Sequence, residues 1–224
     1  MQPGDSYSMS TPLWQFWTDW TVKLLGMLAT VAAVIVALFG YWLRQRIDPP
    51  RLGLAHSNAE GWQGVIYELD AATNRAKYKT SGIWHQVRVH NKSRRNPVTE
   101  VHIFLLSIEA PDASGVFKPI GQTPPAALIW RFETGNPKPK TIGRPEECDL
   151  CHVLKDTGEL RLSPLIKGQV PDTFTGPFPL KLRLTLQARG VEADSDTYRL
   201  EISWDGKWSD DQTQMSRHLV VTPT

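Results

Sequence analysis

The sequence predicts a mainly β fold, an antiparallel β-sandwich carried behind one N-terminal transmembrane helix. Three observations predict it. Leu24 to Leu43 is a run of twenty residues without a charge, LLGMLATVAAVIVALFGYWL. Beyond Pro50 the apolar residues recur with period two, as on a strand with one buried face. No segment after residue 50 carries a long helical period.

Residues 1–20 read as a polar tail ending in aromatics, with Trp14, Phe16, Trp17 and Trp20 placed for a membrane interface. Residues 21–46 read as the transmembrane helix. At about 1.5 Å per residue the uncharged run spans about 30 Å, the thickness of a bilayer core. The anchor residues are Leu24, Leu25, Leu28, Val31, Val34, Ile35, Val36, Leu38, Phe39 and Leu43. Tyr41 and Trp42 supply the second aromatic belt, and Arg44 and Arg46 follow at the interface. A cleavable signal peptide needs small residues after the apolar run, whereas here the run closes on Tyr41, Trp42 and Leu43 and then Arg44. Arg44, Arg46 and Arg51 follow the span, and no basic residue precedes Lys23. By the positive-inside rule the C-terminal domain is expected in the cytoplasm, on a cell inner membrane crossed once.

Residues 47–50 form a linker in which Asp48-Pro49-Pro50 stops the helix, and residues 51–224 form the β-sandwich domain. Its clearest strand is Leu180–Ala188, with Leu180, Leu182, Leu184, Leu186 and Ala188 on one face and Lys181, Arg183 and Gln187 on the other. Tyr198–Trp204 repeats the alternation, and the polar loop 190–196 between them suits a hairpin. Further strands are expected at Arg51–Ser57, Gly64–Glu68, Ile83–Asn91, Glu100–Glu109, Ala127–Phe132, Asp149–Leu154, Glu159–Leu162 and Leu219–Thr222. Glu100–Glu109 contains VHIFLLSI, apolar on both faces, and is expected at the centre of a sheet. Many short strands punctuated by Gly and Pro point to an immunoglobulin-like sandwich, with a Pro-rich insertion or long loop near residues 110–147.

The stretches VRVHNKSRRNPVTEVHIFL and YRLEISWDGKW resemble bacterial membrane-anchored proteins of unassigned function that have a short tail, one span and an immunoglobulin-like domain. The resemblance is one of general pattern and implies no functional residue.

The chain carries 25 basic and 23 acidic residues, a formal net charge of +2, without the basic stripe of a nucleic-acid binder. Two cysteines exclude a disulfide-rich secreted scaffold. They lie in Cys148-Asp149-Leu150-Cys151-His152, which matches the Cys-x-x-Cys-His pattern of covalent haem attachment. Haem needs both thiols on one turn with the imidazole beside them, whereas this stretch reads as strand. The same three residues form half of a zinc site that lacks a spaced fourth ligand. The bland reading puts Cys151 in the core and leaves Cys148 incidental, with no cofactor. Lys92, Arg94 and Arg95 form a basic loop placed for a partner or for anionic lipid, or else a solvated strand connection. Trp204 and Trp208 flank a turn, one expected in the core and one over a sheet edge. No nucleophile elbow, phosphate loop or HExxH motif occurs. The expectation is a membrane-tethered binding or interaction module with a protein partner. A haem or metal protein and a membrane enzyme with a nonlocal site are the alternatives.

Overall fold

The computed structural model describes residues 13–70, 75–93, 96–120, 125–133, 136–163 and 173–224. For 13–19, 41, 43–45, 67–70, 75 and 76 it describes the backbone alone. The chain divides into two compact units, Met1–Pro49 and Pro50–Thr224.

The first unit is one helix, α1 (Leu13–Ile47), that begins earlier than the predicted span and ends where Asp48-Pro49-Pro50 forbids continuation. Within it, Trp20–Gly40 is long and apolar enough to cross a membrane. Leu24, Leu25, Leu28, Val31, Val34, Ile35, Val36, Leu38 and Phe39 are all exposed, as a lipid-facing surface requires. The Thr30 hydroxyl donates to the Gly26 carbonyl at 2.8 Å, so this polar group is satisfied within the helix. Trp20 and Trp42 are exposed at the two ends, and the Arg46 guanidinium lies 5.1 Å from the Trp42 ring. The side chains of Trp14, Trp17, Tyr41, Leu43 and Arg44 lie outside the described residues.

The second unit is an antiparallel sandwich of two sheets. The first sheet contains β1 (Leu52–His56), β2 (Trp62–Asp70), β3 (Arg75–Asn91), β8 (Glu146–Leu154), β9 (Leu160–Leu162) and β10 (Thr173–Phe174). Its order is β1-β3-β8-β9-β10, with β2 also on β3. Strand β3 serves two partners along one edge: residues 87–91 pair with β1 and residues 75–84 with β2. The second sheet contains β4 (Val98–Pro111), β5 (Phe117–Pro119), β6 (Ala126–Ala127), β7 (Lys140–Ile142), β11 (Leu180–Arg189), β12 (Tyr198–Trp204) and β13 (Leu219–Pro223). Its order is β13-β12-β11-β4-β5, with β6 and β7 also on β4.

The period-two pattern is realised most fully in β11 and β12. Leu182, Leu184, Leu186, Leu200 and Ile202 are buried, and Leu184 pairs with Leu200 on one side and Ile108 on the other. β4 is central, as its two-faced apolar run implies. The 110–147 stretch is no detached loop. It returns three times to the edge of β4 and drives Trp130 into the core, where the indole N–H donates to the Lys138 carbonyl at 2.7 Å. The strand expected at Ala127–Phe132 shrinks to β6 and an isolated bridge from Trp130 to Cys148.

A short helix, α2 (Gln212–His218), precedes β13 and was absent from the sequence reading. The Asp211 side chain accepts from the Gln214 N–H and caps it, and Met215 anchors it in the core. Trp204 is fully buried and donates to the Gly158 carbonyl at 2.9 Å, while Trp208 packs against the core from outside, as predicted for this pair.

Candidate functional site

The outer face of the first sheet carries the concentration of aromatic and ionic side chains. Trp62, Trp84, His152 and Arg161 stand opposite one another in register across β2, β3, β8 and β9. One row away, Gly64 pairs with Gly82. A Cβ on Gly64 would meet the Trp62 ring at 2.7 Å, and one on Gly82 would meet the Trp84 ring at 2.6 Å. The absent side chains therefore let both indoles lie down over the glycine pair, with Trp62 still 45% exposed. The two indoles are 5.8 Å apart at a tilt of 53°, and His152 stacks on Trp84 at 5.8 Å and 21°.

A β-bulge puts His152 there. Trp84 faces His152 and Gln86 faces Asp149, so β8 spends one extra residue between them. Leu150 and Cys151 consequently both turn inward, and the alternation resumes with His152 outward. The extra residue divides the Cys-x-x-Cys-His stretch between two faces. Cys148 and Cys151 are fully buried free thiols, and burial raises both above the usual thiol range, so they stay protonated. His152 stands on the opposite face, its imidazole held down at about 4 by burial and by the Arg161 charge. The three side chains do not converge on one point, as haem attachment or a zinc half-site requires. Cys148 also proves to be core rather than incidental. Among the described residues, no three His, Cys, Asp or Glu side chains gather to hold a metal ion.

The turn after Trp130 overhangs this face. The Arg131 N–H donates to the Glu147 carbonyl at 2.9 Å and the Asp149 N–H to the Ile129 carbonyl at 3.2 Å, so segment 129–131 lies along β8. The Arg131 guanidinium lies 5.3 Å from the Trp62 ring and 4.6 Å from the Phe132 ring, and bonds Glu147 at 2.5 Å. Phe132 is 81% exposed and sits at φ 65°, a left-handed conformation unfavourable for a bulky residue. Exposed apolar area on a strained turn marks a place where the fold tolerates cost for a surface feature.

Arg131 and Phe132 separate two neighbouring clefts. One, of about 210 Å³, is lined also by Trp62, Trp84, Gln86, Glu133 and Asp149. The other, of about 350 Å³, is lined also by Arg88, Pro145, Glu146 and Glu147. Burial works to raise Glu147, but hydrogen bonds from Ser57, Arg88 and Arg131 overcome it and hold the carboxyl down at about 2. Burial raises Asp149 above the ordinary carboxylate value, although the Gln86 amide donates to it at 3.0 Å.

Comparison with family models, curated proteins and solved structures finds no match.

Of the residues singled out from sequence, only His152 lies on this face, stacked on Trp84 beside the clefts rather than lining them. Lys92 is exposed elsewhere, and Arg94 and Arg95 lie outside the described residues. Trp62, Trp84, Gln86, Arg131, Phe132 and Asp149 were missed as a group. Their local signal was present in Trp62-x-Gly64 and Gly82-x-Trp84, where strand period two sets each indole beside a vacancy on its own face.

Proposed function

We propose that the chain is a membrane-tethered binding module, with α1 as its single span and the Trp62–Trp84–Arg131–Phe132 groove as its binding face. The observation that carries this reading is the row of indoles laid over a glycine pair on the outside of a sheet. A face covered only for stability would not hold exposed tryptophan and a strained, exposed phenylalanine in the lining of one cleft. Binding is favoured over catalysis because Glu147 is committed to two arginines and Asp149 accepts from the Gln86 amide, with no nucleophile beside either carboxylate among the described residues that line the two clefts. The immunoglobulin-like character of the sandwich belongs to the same proposal, supported by two antiparallel sheets around one core. So does the bacterial inner-membrane setting. The basic residues after the span support a cytoplasmic domain. Tethering holds the module at a high effective concentration for anything else at that membrane.

A photo-crosslinking side chain at Phe132 of the full-length chain in its native membrane tests the face. The control places the same group at Val116, also exposed, in the β4–β5 turn. Crosslinks from position 132 that are absent from position 116 are expected. Equal yields from both positions would refute the assignment. Digestion of residues 51–224 by protease added outside intact cells would overturn the cytoplasmic orientation.

A further inference from the structure

The arginine, lysine and glutamate charges about the groove are matched, and Asp149 is held by the Gln86 amide. Glu147 bonds Arg88 and Arg131, and Lys140 bridges Glu133 at 3.2 Å and Glu146 at 3.4 Å. An anionic ligand would have to displace a glutamate from one of these pairs. The smaller cleft, about 210 Å³, is too confined to seat the apolar face of a helix. An extended peptide cannot add as a strand here either. The groove lies on a sheet face, and the β8 edge nearest it is paired to segment 129–131. What the groove offers is indole surface, electron-rich on its faces, next to the hydrogen-bonding capacity of Gln86 and Asp149. The Gln86–Asp149 bond uses one amide N–H and one carboxylate oxygen, so the second amide N–H, the amide oxygen and the second carboxylate oxygen are further donors and acceptors in that pair.

A pyranose ring has the complementary form: polarised C–H groups on its face and hydroxyls, both donors and acceptors, on its rim. The geometry points to a neutral oligosaccharide as the occupant of the groove, one ring stacked on Trp62 and Trp84 with its hydroxyls on Gln86 and Asp149. This rests on the binding-face reading given above and adds the chemical class of the ligand. Phe132, standing exposed beside the cleft, supplies a second apolar surface for the adjoining sugar.

The test is calorimetric titration of the full-length chain in lipid nanodiscs, which carry no sugar detergent, with cellohexaose, chitohexaose, maltohexaose and xylohexaose. Saturable binding of at least one is expected. Trp62→Ala and Trp84→Ala should each weaken it about tenfold or more. Trp62→Phe, which keeps a stacking face, should retain most of the affinity and shows that the loss is not unfolding. Phe104→Ala, on the other sheet, should leave it unchanged. No heat with any of the four sugars into the millimolar range overturns the proposal, as does binding that survives the Trp62→Ala, Trp84→Ala double variant. If the sugars fail while crosslinks from position 132 persist, the ligand class is wrong and the binding face stands. If both fail, the face itself is not a binding site.

Discussion

His85 ties folding to pH. It is fully buried on the inner face of β3, and its Nδ1 lies 3.2 Å from Nε2 of His56 in a stacked pair. Burial first, and then the neighbouring His56, push its value from 6.5 down to about 3, against a weaker pull upward from the Asn58 backbone. In the unfolded chain the imidazole takes a proton below about 6.5, while the folded protein refuses it until about pH 3. The stability associated with neutral His85 is therefore complete above the unfolded value and is lost as pH falls from about 6.5 towards 3. Between about pH 7.5 and pH 5.0 the unfolded residue passes from about one-tenth protonated to almost fully protonated, which costs the folded state about 2 kcal/mol. For a domain of this size that is about 4–8 °C in Tm. The comparison variant is His85→Gln, whose amide can bond His56 but does not titrate. Thermal unfolding of both full-length proteins, followed by near-ultraviolet circular dichroism at the two pH values, should show the wild type losing about 2 kcal/mol more than the variant. The contribution from His152, on the opposite face of the sheet, is common to both and cancels, and His56→Gln made in both backgrounds removes that of the partner imidazole. Equal losses would refute the assignment of the acid sensitivity to His85.

Other outcomes follow from the same geometry. Leu184→Ala removes a side chain enclosed between Leu200 and Ile108 and should lower stability by about 2–5 kcal/mol, read as a fall in Tm. Cys148 and Cys151 should fail to react with Ellman's reagent at about pH 8 in the folded protein and react in full once denatured, since burial keeps both as thiols. Gly82→Val should displace the Trp84 indole, changing its fluorescence and costing about 1–3 kcal/mol, because the new Cβ falls 2.6 Å from the ring.

The elements that were legible from sequence are those whose pattern is local. Twenty uncharged residues form a long apolar helix and Leu180 to Ala188 alternates without interruption, so β11 and the C-terminal end of α1 were found near their true bounds, while the first two turns of α1, from Leu13, were read as tail. Strands β5, β7 and β10 are two or three residues long and exist because β4 or β9 offers them an edge, which no local pattern encodes. Helix α2 is too short to show a helical period and depends on the Asp211 cap and on Met215 reaching the core. The Cys-x-x-Cys-His stretch misled in its details because strict alternation would have put Cys148 and Cys151 on opposite faces. The bulge at Leu150 reversed that and sent His152 out alone. The groove stayed hidden for a related reason: Trp84, Asp149 and Arg131 are distant in sequence and are brought together only by the β3–β8 register and the overhanging turn.

Everything functional here depends on α1 being held in lipid. The most direct measurement is alkaline carbonate extraction of membranes from cells making the full-length chain, followed by immunoblotting of pellet and supernatant. The protein is expected to stay in the pellet, and Val31→Lys with Val34→Lys, which sets two charges within the span, should move it to the supernatant. Release of the unaltered protein into the supernatant would contradict a lipid-held α1.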